Sequence, residues 1–74
     1  MHIFKKIFEM IPNASFIKIK EVMYRINGHI IEETEKELFV LHEDSGNEYI
    51  YNLNKPNDMK TLMNATFYKC KEMV

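Results

Sequence analysis

Tryptophan is absent from this 74-residue chain, and cysteine, glycine and proline are scarce: one Cys, two Gly and two Pro. A single thiol, Cys70, can neither close an intramolecular disulfide nor build a thiolate metal cluster, so a reducing compartment is implied and the cytoplasm is the expected location. No apolar run approaches the roughly 20 residues of a membrane span. Met1 to Ile11 lacks the basic leader, unbroken apolar stretch and small-residue cleavage site of a signal peptide. Net charge is scarce too. At −1, with a single Arg, Arg25, the chain does not grip polyanions by bulk electrostatics.

Apolar side chains are plentiful: 46% of the residues are hydrophobic, including nine Ile, six Met, five Phe and four Tyr. A domain of this size buries only about 60% of its unfolded surface. Part of that apolar supply is therefore expected to remain at the surface or to be covered by another copy, a homo-oligomer. Charge is unevenly spread: residues 1–25 carry +3, residues 26–58 carry −6 and residues 59–74 carry +2. The middle is an acidic belt. Nine Lys to one Arg, with seven Asn and two Ala, is the usage of A+T-rich coding, as in many low-GC bacteria and their phages.

The chain reads as a single domain over residues 1–74. Ile3, Phe4, Ile7, Phe8 and Ile11 recur at helical spacing opposite Lys5, Lys6 and Glu9, predicting an amphipathic helix over 1–11 that Pro12 stops. From residue 16 the period becomes two, with Ile17 and Ile19 on one side and Lys18 and Lys20 on the other. The parity then reverses at Val22, Tyr24 and Ile26, which predicts a bulge or sharp bend near Lys20-Glu21. Asn27-Gly28 is the strongest short hairpin signal in the chain, because both residues reach positive φ at low cost. A turn there sets Ile26 opposite His29, Tyr24 opposite Ile31 and Met23 opposite Glu32.

Glu35-Lys36-Glu37 reads as a polar tip, and Leu38-Phe39-Val40-Leu41 as the central strand, covered on both faces. Asp44-Ser45-Gly46-Asn47 supplies a further turn and Tyr49 to Leu53 the return strand. The β-meander thus spans 16–53. Asn57 or Asp58 is expected to cap a helical turn over 57–63, and a last strand spans 65–72. The expected fold is mainly β (α+β): an N-terminal helix packed on a strongly bent five-stranded antiparallel sheet, a partly open small barrel with a helical turn before the last strand. This order of elements resembles SH3-like and LSm-like small barrels. Asn27-Gly28 falls where LSm-like proteins often carry such a pair. No site residue is carried over from the resemblance, because Tyr51 is followed by Asn52-Leu53-Asn54 and not by a basic RNA-binding segment.

No spacing matches a catalytic, metal or nucleotide motif, so neither an enzyme nor a cofactor is expected. His2, His29 and His42 lack the i, i+4 spacing of a helical metal pair. Cys70, between two lysines, has no His or Asn motif to activate it. Glu32, Glu33, Glu35, Glu37, Glu43, Asp44 and Glu48 crowd two hairpin ends. They serve either as a solvated guard on an edge strand or as a negative surface for a basic partner. Lys18, Lys20, Tyr49, Tyr51, Lys69 and Lys71, with Tyr24 and Tyr68, form the alternative set, an aromatic and basic platform for single-stranded nucleic acid.

The expected function is a small non-catalytic protein-interaction module, a phage or prophage accessory protein that binds and modulates a host protein. Its contact residues would be Glu32, Glu33, Glu35, Glu37, Glu43 and Asp44, with exposed Met10, Met59 and Met63 as adaptable apolar contacts. The alternative is a nucleic-acid-binding small β-barrel.

Overall fold

The computed structural model describes residues 2–69, with side chains from Lys6 onward. Cys70 and Lys71 lie outside the described residues, as do the side chains of His2, Ile3 and Phe4. The amphipathic opening forms helix α1 (His2–Met10), which tightens into a 3₁₀ turn over Ile11–Asn13 around Pro12. Five strands follow: β1 (Phe16–Ile19), β2 (Val22–Ile31), β3 (Lys36–His42), β4 (Asn47–Asn52) and β5 (Thr66–Tyr68). A second helix, α2 (Pro56–Met63), precedes β5. All pairings are antiparallel and the order across the sheet is β4-β3-β2-β1-β5. The two edges do not pair, so the bent sheet is a partly open barrel, mostly β, with an N-terminal helix.

The first hairpin is not where the Asn27-Gly28 signal put it. Ile19 pairs with Val22, so the chain turns on Lys20 and Glu21, both at positive φ (50° and 67°). Two consecutive residues in that region are what a type I′ turn requires. A two-residue turn sets even-numbered positions opposite odd ones, which explains the reversal of parity: Ile17 faces Tyr24 and Ile19 faces Val22 on one side of the sheet. Of the bulge or sharp bend expected near Lys20-Glu21, the structure has the bend, as a complete two-residue turn between separate strands. Burial decides the contest, because this register gathers Ile17, Ile19, Tyr24 and Ile26 on the covered face, and one residue of slip would turn the set outward.

β2 runs through Asn27-Gly28, and the bulge is there instead. Ile26 pairs with Val40 but Gly28 pairs with Phe39, leaving Asn27 as the extra residue. Ile26 therefore faces Val40 and not His29, while Tyr24 and Ile31 lie on one strand. The inserted residue bends the ten-residue strand and shifts the inward positions from 22, 24 and 26 to 29 and 31.

The second turn spans residues 32–35, closed by the Glu32 N–H donating to the Glu35 carbonyl at 2.9 Å. Lys36 and Glu37, expected in the polar tip, already belong to β3. The third turn is where Asp44-Ser45-Gly46-Asn47 placed it, with Gly46 at φ 77°. Leu38 and Val40 are fully buried, but Phe39 and Leu41 are only half covered. β3 is thus an interior strand sealed on one face, and β2 is the central one.

The core comprises Ile7, Ile11, Ile17, Ile19, Leu38, Val40, Leu53, Met59 and Leu62. Both helices cover the inner face of the sheet, α1 through Ile7, continued by Ile11 of the 3₁₀ turn, and α2 through Met59 and Leu62. Fully burying one such side chain contributes about 1.5–3 kcal/mol. Met59 is only 5% exposed, so it is a core residue and not a contact residue; Met63, at 39%, remains at the surface. Neither Asn57 nor Asp58 caps α2: the N-cap is Lys55, with Pro56 in the first turn. The Asp58 carboxylate instead accepts the backbone N–H of Asn52 at 2.8 Å.

Candidate functional site

Alternation along the strands defines a second, outer face that no described helix covers. Across β2, β3 and β4 it runs Gly28, Phe39, Ile50 in one row and Arg25, Leu41, Glu48 in the next. Met23, Ile30 and Phe16 share that face. The result is an apolar strip, half exposed along most of its length and open at Ile50, which is 55% exposed. Gly28 lies under it: a Cβ there would meet the Phe39 ring at 3.6 Å, an ordinary contact.

Polar groups frame the strip. The Arg25 guanidinium stands 5.5 Å from the Phe16 ring centroid and donates through Nε and Nη2 to Glu43 Oε2, at 3.0 and 2.7 Å. Asn27 Nδ2 donates to Glu48 Oε2 at 2.8 Å. Glu37 is on the same face, opposite Ile30 and Asn52. The side chain nearest the middle of the bend is thus a neutral amide holding a carboxylate. Both hydrogen-bonded groups are exposed, and such pairs fix geometry more than they stabilise.

The acidic residues do not form one surface. Glu32, Glu33 and Glu35 occupy the turn before β3, with Glu37 just inside the strand, whereas Glu43 and Asp44 occupy the turn after it. A seven-residue strand separates the two sets by about 20 Å. The second set meets Glu21 of the first hairpin turn around a shallow cavity of about 320 Å³, lined also by Val22, Met23 and His42. His42 Nδ1 is 2.7 Å from Ser45 Oγ, and its ring lies 5.6 Å from that of Tyr24. Among the described residues no group of three His, Cys, Asp or Glu side chains is placed to hold a metal ion.

The alternative nucleic-acid set is divided as well. Lys18 is on the outer face of β1 and Lys20 in the first turn, while Lys69 follows β5. Tyr49 and Tyr51 are on the inner face of β4, at the far edge of the sheet. Tyr49 meets Tyr24 edge-on at 5.8 Å, and Tyr51 packs against the core. Burial pushes the Tyr51 phenol above its ordinary range, with Tyr24, the Asp58 carboxylate and Tyr49 adding to the shift. Tyr51 is thus engaged in the interior and Tyr49 remains 43% exposed, while Lys18, Lys20 and Lys69 belong to the β1 and β5 side of the sheet, away from β4.

Sequence reasoning named the acidic turns but not the strip between them. Its signal was present: Phe39 and Leu41 alternate with the core residues Leu38 and Val40, so an apolar residue had to face outward at every second position. Among the described residues no helix is long and apolar enough to cross a membrane. No protein-family model, no curated protein and no solved structure matches the chain.

Proposed function

We propose that the protein is a non-catalytic interaction module that docks a protein partner on the outer face of its sheet. The observation that carries this reading is the strip Phe39, Leu41, Ile50, partly buried at its first two residues and open at Ile50, on the face of the sheet that no described helix covers. An uncovered apolar face on a domain this small costs solubility, and a bound protein surface offsets that cost. Glu37, Glu48 and the exposed Glu32, Glu33 and Glu35 border it, so the complementary partner is apolar at its centre and basic at its rim. A phage or prophage accessory protein acting on a host protein fits this reading, on residue usage alone.

The test is capture from a lysate of the source cell by immobilised protein. Phe39→Lys and Leu41→Lys, each checked for an unchanged circular dichroism spectrum, should abolish capture of the specific partner. Charge reversal of Glu32, Glu33, Glu35 and Glu37 to Lys should weaken it and lessen its salt dependence. A partner retained equally by all these variants would remove the proposal. Titration with single- and double-stranded oligonucleotides across a salt series addresses the alternative: micromolar binding with a steep salt slope would replace the protein partner with nucleic acid.

A further inference from the structure

Among the described residues, the backbone of β4 is left open at two positions. Leu53 donates its N–H to the Lys36 carbonyl at 2.8 Å, which sets the phase of the β3–β4 ladder. Residues 47, 49, 51 and 53 thus point their N–H and C=O groups at β3, and residues 48, 50 and 52 point theirs away. Asn52 is already satisfied on that side: its N–H goes to the Asp58 carboxylate at 2.8 Å and its carbonyl accepts from Lys55 N–H at 3.0 Å. At the other end the Gly46 N–H turns back to the His42 carbonyl at 2.8 Å. Glu48 and Ile50 remain, on a strand with no Pro, no Lys and an unbroken register over six pairs. Prolines, lysines and bulges are devices that ordinarily discourage edge pairing, and β4 has none of them.

We infer that two copies of the chain join antiparallel through β4, with Glu48 of each exchanging both backbone hydrogen bonds with the partner's Ile50. Two open positions spaced i, i+2 are their own complement when the strand is reversed. In this register eight open groups form four N–H···O bonds and none is left over. Shifting it two residues either way brings Asn52 or the Gly46 turn opposite an open residue, and both are already occupied. Tyr49 then meets the partner's Tyr49 at the two-fold axis as a non-hydrogen-bonded pair, the arrangement in which opposed side chains stand closest. On the outer face Ile50 lies beside the partner's Glu48, so no two carboxylates oppose each other directly. The two apolar strips become one. This goes beyond the docking reading above, because it concerns the edge of the sheet and requires only the purified protein.

Sedimentation or light scattering from about 10 μM to 1 mM should show monomer passing to dimer, as suits a small interface. Ile50→Pro deletes an outward-pointing N–H without touching the β3–β4 ladder, so it should keep the fold and shift the midpoint to at least about tenfold higher concentration than Ile50→Ala, which loses the side chain alone. In a Cys70→Ala background, Tyr49→Cys should oxidise to a covalent dimer about tenfold faster than Asn47→Cys, because opposed Cα atoms near 4.5 Å suit a disulfide and residues 47 stand far apart. A monomer mass throughout the series would overturn the inference. So would association unchanged by Ile50→Pro, or equal crosslinking at positions 47 and 49.

Discussion

Lys20 and Glu21 hold a backbone conformation that costs an L-residue with a side chain about 1 kcal/mol each. Lys20→Asn combined with Glu21→Gly should recover about 1 kcal/mol or more, read as a higher urea midpoint with an unchanged slope. The opposite holds at Gly46, where φ is 77° and no neighbouring atom lies within 4 Å of an added Cβ. Gly46→Ala should lose about 1 kcal/mol through backbone strain alone. Tyr51 supplies a pH signature. Its phenol is raised above the 10.0 of an unfolded tyrosine, chiefly by burial, so the fold holds the neutral form. The associated stabilisation is complete below pH 10 and is lost as pH climbs through the higher folded value. Urea unfolding at stepped alkaline pH should show stability falling above about pH 10, and Tyr51→Phe should flatten that limb. An equally steep fall in Tyr51→Phe would assign it to other groups.

At the scale of the elements, Asp58 links α2 to the end of β4. Its carboxylate accepts the Asn52 N–H, a charged-acceptor bond whose loss costs about 1.5–3 kcal/mol. Asp58→Ala should therefore lower the thermal midpoint and speed amide exchange at Asn52, while Asp58→Asn keeps part of the bond. If exchange at Asn52 is unchanged in Asp58→Ala, the link is not made in solution. The number, type and order of the elements were legible in the sequence, because periods of 3.6 and two, Pro12 and Pro56, and the Gly46 turn are local signals. The first hairpin and the bulge were legible as irregularities, yet their identities were exchanged. A parity reversal looks the same in a single strand whether a turn or a bulge produces it. Only the pairing partner distinguishes them: Val22 against Ile19 in one case, Phe39 against Gly28 in the other. Local preference at Asn27-Gly28 lost to the burial of Ile17, Ile19, Tyr24 and Ile26 on a common face.

Taken whole, the sheet has one face packed by helices, open toward Val22 and Tyr49, and one face that no described helix covers. The packed side rests on nine buried residues among those described, and Ile17, with no exposure, is in contact range of both neighbouring strands. Ile17→Ala should cost about 2–5 kcal/mol, a large share of what a small domain possesses. Loss of the cooperative thermal transition is the expected result. The candidate site was less readable than the fold. Its acidic residues were visible one by one, but their division between opposite ends of β3 depends on where each turn closes, and Glu37 left the turn for the strand when the register was set. The alternation of Phe39 and Leu41 with Leu38 and Val40 signalled an outward apolar row, but that the row stays uncovered depends on α1 and α2 both packing on the other side of the sheet, which is a tertiary fact.

The clasp of Asp58 and Lys55 on Asn52 leaves a template two residues long, and that length governs how far self-association can propagate. A copy added at Glu48 and Ile50 would consume the whole of that template. In the proposed pairing, growth by strand addition along this border would stop after one step, without the lysines and prolines that other sheet proteins station there.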